Sequence, residues 1–576
     1  MTYIPSGASS NPKKSLFVFA LIFAFCLPSL WTGLMGDDYM HYAVLNAKNL
    51  PIEKPDDLSL FGLFSFINGD PVRNREAMDL GVIPWWTYSG MKYAFWRPVS
   101  EVFHWLDHEL WPRSPMLMHL HSLLWYLAIC AMLSVLYRRT LDHAGMALLA
   151  LVLYGLDSTH GFTLSWIANR NGLITAFFGL TSLYGYMRWR EENNLLWQLG
   201  SLVALLLALL SAELGISIYG YIGAYAITRD PKGRLKGIIA TLPHLAVIIA
   251  WWAFYKHAGF GAANADAYYL DPAAEPLVFL GMLLGRLPVL LASQWGIIPA
   301  EIYGFVLHHN VPYVIVNTLF VLLVLIPVTL VARKDKNAMF WLLGMLFSLL
   351  PATTALPHDR VLVFAGMGAS PALAFFIHKI FIQKERYPAL PNMLAKAVGG
   401  LLILLHLILS PLLMPLMAYS TKVWANQISQ EPSRLAGIQD LQSKRLVIFG
   451  APLASSLAIA PFRFYRQEAI PERLWVISSL DQPFHFTATG VNQVKVTLDN
   501  GFIQGAEVAV RDFTKYPFHQ GDNVTLSGLV ITIDSLNEKG MPQALTLTFD
   551  RALTDKSLLF LRWNSKTDSY DHVLLQ

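Results

Sequence analysis

Cysteine is nearly absent from this 576-residue chain, which has two in all, so no disulfide framework carries the fold. Cys26 and Cys130 both fall in apolar runs, where they are expected to pack as small hydrophobic side chains without a structural disulfide. Charge is also scarce: Asp, Glu, Lys and Arg make up 14% of residues, far too few for a soluble protein. The formal net charge of +4 is modest, and no nucleic-acid partner is expected. No repeat at solenoid spacing and no low-complexity tract is present.

In their place stand hydrophobic residues, 54% of the chain, with a mean hydropathy of +0.43. That composition predicts an α-helical polytopic membrane protein. The basic clusters Lys13 and Lys14, Arg138 and Arg139, Arg188 and Arg190, Arg229 to Lys236, Arg333 to Lys336, and Lys384 to Arg386 each border an apolar segment. Placing all of them in the cytoplasm satisfies the positive-inside rule at every second loop from a cytoplasmic N-terminus. About 11 transmembrane helices follow: 15–34, 116–137, 145–156, 169–187, 195–211, 214–228, 237–255, 312–332, 338–352, 361–382 and 397–419. The first reads as an uncleaved signal anchor. The third, fifth, sixth and ninth fall short of the roughly 20 residues that cross a bilayer. Helices that stop early imply a protein-lined cavity, here on the outer side.

The domains expected are a membrane domain over 1–420 and an extracytoplasmic α/β to β-rich domain over 421–576. The membrane domain carries a large outer loop, 35–115, and a second, 256–310. Trp85, Trp86, Trp96, Trp105 and Trp111 in the first loop fit helices lying in the headgroup layer. Leu277 to Leu291 in the second is expected to be interfacial rather than a twelfth span, because Arg286 and the return to a cytoplasmic Arg333 argue against a crossing. In the tail, Val494 to Leu498 alternates into Asp499-Asn500-Gly501, a hairpin signal. Leu446 to Phe449, Leu474 to Ser478, Val524 to Ile533, Leu545 to Phe549 and Leu558 to Trp563 read as strands, and Ser455 to Ala460 as helix.

Ionisable residues gather at the outer span ends: Asp37, Asp38, Asp157, His160, Arg170, Glu213, His358, Asp359 and Arg360. Topology does not require them, and together they imply a shared polar cavity. Asp37 and Asp38, directly after the first span and followed by Tyr39 and His41, favour function over a helix-end role, although Asp38 could serve only to orient its neighbour. Arg360 could snorkel, but an outer arginine at the head of a span runs against the positive-inside bias and favours an anion ligand, whose oxygens match the guanidinium fork. Arg170 divides evenly between helix-start structure and site. Glu213 suits a buried pair with an arginine as well as substrate contact. His160 alone is more often structural, and Arg97 could brace the loop against headgroups. The spacing of His104, His108, His119 and His121 matches no metal site.

The acidic pair, Trp96-Arg97-Pro98, His119-Leu120, Ser165-Trp166-Ile167-Ala168-Asn169-Arg170-Asn171-Gly172-Leu173, Ser211-Ala212-Glu213 and Asp359-Arg360 together resemble the C-type (GT-C) glycosyltransferase superfamily. The likeness is to the branch holding protein O-mannosyltransferases and lipid A aminoarabinose transferases, and it covers 15 to about 420 in order and topology. It implies transfer of a hexosyl or pentosyl group from a polyprenyl-phosphate-linked donor to a protein, lipid or glycan acceptor on the outer, periplasmic face of a bacterial inner membrane. By position Asp37 resembles the catalytic acid and Asp38 its acidic follower. Arg360 resembles the late outer arginine that holds the carrier phosphate, and in the chemistry read from the residues Arg170 or Arg97 could help it. Glu213, His160, Asp359 and His358 are further site candidates. Two departures bear on donor and acceptor identity: Asp157-Ser158-Thr159-His160 lacks the Pro and Glu of the relatives' His-Pro-x-His-x-Glu string, and Ala212 replaces a common Lys.

The residues support this chemistry on their own terms. A sugar phosphate already has a good leaving group, so the protein must supply a base for the acceptor hydroxyl and positive charge for the phosphate. No cofactor is required and a divalent cation is compatible. Membrane lipids are partners in any case. The alternatives are a transporter or flippase of lipid-linked saccharides, and a non-catalytic binding protein. Against transport, the charges gather at one face and no repeated halves are visible.

Overall fold

A computed structural model describes residues 12–46, 62–265, 269–306, 310–435, 437–480, 482–567 and 569–573. Parts of both expected outer loops, at 47–61, 266–268 and 307–309, lie outside the described residues. The chain forms two compact units: Met1–Gly33 with Trp96–Gly259 and Leu270–Lys422, and Leu34–Phe95 with Phe260–Tyr269 and Val423–Gln576.

The first unit is helical and apolar, and the protein is an integral membrane protein. Among the described residues seven helices are long and apolar enough to cross a bilayer by length and composition: Pro12–Trp31, Pro115–Thr140, Arg234–His257, Pro276–Gly296, Val311–Ala332, Val363–Ile382 and Asn392–Ser429. Ala144–Gly155 and Ser158–Ser165, bent by 42° at their junction, make an eighth if counted as one. Helix is found at every one of the eleven expected positions, and the shortness read from the sequence is real. Leu195–Leu209 has 15 residues, Ile218–Thr228 has 11 and Lys336–Ala352 has 17. Eleven residues rise only about 16 Å, roughly half the hydrocarbon thickness. Leu277 to Leu291 lies in a 21-residue helix, Pro276–Gly296, that is as long and apolar as the spans. Its Arg286 is buried, with Nη1 donating to the Thr353 and Thr354 carbonyls at 2.9 and 3.2 Å.

Short helices need caps and close neighbours. At the bend after Gly155, the Asp157 carboxylate accepts from the Thr159 amide (3.0 Å) and hydroxyl (2.9 Å), restarting the backbone ladder. Glycine allows the closest approaches. A Cβ on Gly368 would lie 2.3 Å from the Trp341 carbonyl, and one on Gly344 would lie 2.2 Å from the Tyr221 ring. Tyr221 is wholly buried there and donates to the Phe364 carbonyl at 2.5 Å.

The second unit carries the strands β1 (Ser65–Asn68), β2 (Lys92–Ala94), β3 (Gly261–Ala263), β4 (Arg445–Phe449), β5 (Arg473–Ser478), β6 (His485–Gly490), β7 (Gln493–Thr497), β8 (Asn523–Leu526), β9 (Leu529–Leu536), β10 (Pro542–Phe549), β11 (Leu558–Asn564) and β12 (Ser569–His572). They form sheets ordered β1-β2-β3, β6-β7-β10-β9-β8 and β12-β11-β4-β5. In the last, β4 is parallel to both β11 and β5 and wholly buried, as a continuous apolar central strand should be. The helix Leu453–Arg466 connects β4 to β5, so the tail does begin with a mixed α/β piece.

Three local expectations need correction. The Asp499-Asn500-Gly501 turn forms, with the Gly501 amide on the Leu498 carbonyl at 3.0 Å, yet it closes no hairpin: β7 pairs with β6 and β10. Beyond the turn, Phe502 and Ile503 are both buried, which no half-exposed strand permits. Val524 to Ile533 is two strands, broken where Gly528 takes a φ of +93°. Trp85 and Trp86 belong to a core rather than a headgroup layer. They pack with Trp475, Phe518 and Ile531, and their indole N–H groups donate to the Ile477 (3.0 Å) and Glu507 (2.9 Å) carbonyls. A buried indole has to satisfy its one donor, and here distant backbone supplies the acceptor.

Candidate functional site

The acidic pair opens the helix Asp37–Leu45 in the second unit. Gly36 precedes it at φ +48°, a conformation open to glycine that turns the chain sharply into the helix. The two carboxylates then part company. Asp38 is buried and accepts from the Met35 amide at 2.9 Å, so it fixes the helix entry. Asp37 is half-exposed. The helix also carries aromatics: Tyr39 packs edge-on to Phe462, and Tyr42 to Tyr465, at 5.2 and 4.9 Å between centroids.

In the helical unit, the remaining sequence candidates fall into four sets. The first holds His358, Asp359 and Arg360, on the 3-10 turn Asp359–Val361 that leads into Val363–Ile377. Its backbone is clamped to the segment after Pro276–Gly296 in both directions. The Asp359 amide donates to Glu301 (3.0 Å), and the Asp359 carboxylate accepts from the Ala300 amide (2.9 Å) and the Ser293 hydroxyl (2.6 Å). His358 Nδ1 lies 2.6 Å from Glu301 Oε1. Burial lifts the Asp359 carboxyl well above its ordinary range, with Glu301 adding to the effect. Burial also lifts Glu301, but the hydrogen bond and charge of His358 outweigh it and hold that group low. The half-buried guanidinium of Arg360 lies 5.6 Å from the Trp166 ring centre, a cation–π distance. Phe162 packs on His358 at 4.8 Å.

The second set joins Arg97 to Glu213. Nε and Nη2 reach one carboxylate oxygen at 2.9 and 2.7 Å, while Tyr255 donates to the other at 3.1 Å. The Val99 amide on the Leu210 carbonyl (3.1 Å) and the Ser100 hydroxyl on the Ser211 carbonyl (2.8 Å) bring those loops together. Of the two roles left open for Glu213, this is the pair with an arginine. The third set surrounds Arg170, which is wholly buried. It is ion-paired to Asp107 and donates to the Ser122 hydroxyl (2.8 Å) and the Met118 carbonyl (2.6 Å). His121 lies 2.6 Å from the same Asp107. The fourth is His160, also wholly buried, with Nδ1 3.0 Å from the Tyr126 hydroxyl.

The structure therefore gathers His358, Asp359 and Arg360 in one place, pairs Arg97 with Glu213, and gives Arg170 and His160 separate buried surroundings. Sequence reading missed Glu301, Asp107, Ser293 and Trp166 as partners. Only Trp166 lay in a quoted motif. Of the histidines weighed for metal, His119 Nε2 lies 2.8 Å from both the Thr32 hydroxyl and the Gly33 carbonyl. Among the described residues no three His, Cys, Asp or Glu side chains converge as a metal set.

No protein-family model matches the chain, and no curated protein matches it. Among solved structures it is similar to the crystal structure of ArnT from Cupriavidus metallidurans bound to undecaprenyl phosphate. The identity is 13% over 93% of this chain and 98% of that one, with a TM-score of 0.38. It is also similar to ArnT from the same organism in the apo state, at 15% identity over 80% of this chain and 85% of that one, again with a TM-score of 0.38.

Proposed function

We propose that this chain is a membrane glycosyltransferase that moves a sugar from a polyprenyl-phosphate carrier to an acceptor on the outer face of a bacterial inner membrane. The observation that carries the reading is Arg360. It is a guanidinium held beside an indole, on a turn clamped by two reciprocal backbone–carboxylate bonds, at the head of a span-length apolar helix. A cation so placed suits a phosphate borne on a lipid, where a planar fork makes paired charge-assisted bonds. The motif order that resembles the C-type glycosyltransferases supports the same reading.

The reaction asks for little else. The acceptor hydroxyl loses its proton to a carboxylate as its oxygen bonds to the anomeric carbon. The bond from that carbon to the phosphate oxygen breaks, and its electron pair leaves with polyprenyl phosphate. Attack opposite the leaving group inverts the anomeric centre in one step. Asp37 has the base's role: it is half-exposed, while its neighbour Asp38 is committed to the helix entry. Arg360 has the role of stabilising the departing phosphate.

Release of polyprenyl phosphate from a panel of polyprenyl-phosphate sugars, with native membrane extract as acceptor, tests this. Wild type is expected to turn over at least one donor. Asp37→Asn should lower the rate by about 10²- to 10⁴-fold, and Arg360→Ala by about 10²- to 10³-fold, both at unchanged protein levels. Full activity in Asp37→Asn sinks the assignment of the base, and no release from any donor moves the weight to transport.

A further inference from the structure

Beside the helix Asp37–Leu45, the second unit encloses a cleft of about 560 Å³, within the range of small-molecule sites. Five parts of the chain wall it, one of them at Leu80, just after the helix Pro71–Asp79. Tyr42 comes from that helix, Gln442 from the short helix Leu441–Ser443, Phe464 and Gln467 from the end of Leu453–Arg466, and Glu468 and Glu472 from the loop leading to β5.

The lining narrows the ligand by elimination. An anion finds one lining arginine, Arg473, and its Nη1 is already spent on the Glu472 carbonyl at 2.7 Å. A purely apolar ligand would strip water from the amides and carboxylates without replacing its hydrogen bonds. The carboxylates do not form a cation site either, because each is already committed to arginine. Glu468 lies 3.2 and 3.4 Å from Arg463 and Arg466, and Glu472 lies 2.8 Å from Arg445, which also holds Asp550 at 2.8 Å.

What remains is a ligand that offers hydroxyl groups and an apolar face together. Carboxylates fixed by arginine are preorganised acceptors for hydroxyl donors. Primary amides both donate and accept, so Gln442 and Gln467, both exposed, match the two-sided character of a hydroxyl. Tyr42 and Phe464 meet at 6.0 Å with a 57° tilt and form an aromatic corner. The C–H face of a pyranose ring packs on such a corner. We infer that this cleft binds a neutral saccharide of one or two rings. If the transferase reading above holds, this is where the sugar portion of the acceptor is recognised; that role rests on the transferase reading, and the binding itself does not.

Saturation-transfer NMR on the intact protein in lipid nanodiscs, with glucose, galactose, N-acetylglucosamine and maltose each at tens of millimolar, tests it. At least one sugar should receive saturation on its ring protons. Gln442→Trp, at an exposed position that puts an indole across the opening, should abolish the effect, and Phe464→Ala should lower it at least fivefold. Gln442→Ala checks that loss follows the site rather than the fold, and should weaken binding at an unchanged melting temperature. Asp37→Asn should bind sugar as wild type does. No transfer from any of the four sugars, or undiminished transfer in Gln442→Trp, overturns the cleft. Saccharide binding with no donor turnover in any assay overturns the transferase reading and leaves the cleft standing.

Discussion

Two arginines that looked alike in sequence have opposite surroundings, and their variants should fail differently. Arg170 is wholly buried and spends its donors on Asp107, Ser122 and Met118, so Arg170→Ala leaves the Asp107 carboxylate buried without its partner. Breaking such a pair costs about 3–5 kcal/mol. The expected outcome is a large fall in melting temperature and in yield, measured by thermal unfolding in detergent. Arg170→Lys should rescue it only in part, because an ammonium cannot reproduce the fork. Arg360→Ala should leave the melting temperature close to wild type while activity falls. If Arg170→Ala melts like wild type and loses activity, Arg170 belongs with the phosphate ligands. The importance of Arg170 was legible in its motif, but its partner was not. Asp107 lies 63 positions away, and no local pattern couples an aspartate on one helix to an arginine on another. Glu301 escaped for the same reason, since its meaning comes from a turn 58 positions on.

Helices and strands were far more readable than their partners, because periodicity and hydropathy act locally. The short helices Leu195–Leu209, Ile218–Thr228 and Lys336–Ala352 were foreseen from counting apolar residues, as was the strand β4. The hairpin at Asp499-Asn500-Gly501 failed because a turn signal fixes where the chain bends and says nothing about what the next residues bury. The short helix Gly505–Val510 that follows holds a buried carboxyl, Glu507, whose pKa is raised. Glu507 closes a capping box, its carboxylate accepting from the Gln504 amide at 2.8 Å and from the Ser479 hydroxyl. Burial nonetheless lifts its pKa from an ordinary 4.5 to about 7, against the lowering effect of the Gln504 amide. A carboxyl with a raised folded-state pKa contributes stability that is complete below about 4.5 and is lost as pH rises through about 7. The loss is about 3 kcal/mol at 1.36 kcal/mol per unit. Wild type should therefore lose melting temperature relative to Glu507→Gln between pH 5 and pH 8, since Gln keeps the capping box and cannot ionise. A difference that stays constant across that range removes Glu507 from the account.

At the scale of the whole molecule, the second unit constrains the membrane topology. It is assembled from Leu34–Phe95, Phe260–Tyr269 and Val423–Gln576, and if this compact body faces water, as expected for the tail, its parts all lie on one side of the bilayer. The chain must then cross an even number of times on each excursion between those segments. The first excursion, through residues 96–259, accommodates this with its six expected spans. The second, through 270–422, offers five candidates: Pro276–Gly296, Val311–Ala332, Lys336–Ala352, Val363–Ile382 and Asn392–Ser429. Five is odd, so on that condition one of them is expected to enter and leave on the same face. The basic residues decide which. With Arg333 to Lys336 and Lys384 to Arg386 in the cytoplasm, as the positive-inside rule expects, Val311–Ala332 would start outside, and Pro276–Gly296 is expected to begin and end outside despite its span length. Its buried Arg286, bonded to the Thr353 and Thr354 carbonyls, is a reason for such a helix to stay among protein rather than lipid. The expectation that Leu277 to Leu291 does not cross thus gains a parity argument beside those from Arg286 and Arg333. Single cysteines introduced into a chain lacking Cys26 and Cys130 test it with a membrane-impermeant thiol reagent on intact cells. Ala274→Cys and Phe305→Cys, at exposed positions before and after the helix, should both be labelled from outside. Lys334→Cys should be labelled only after permeabilisation. If Phe305→Cys is protected until the cells are opened while Ala274→Cys is not, the helix crosses, and a later segment of the second excursion must give up its crossing instead.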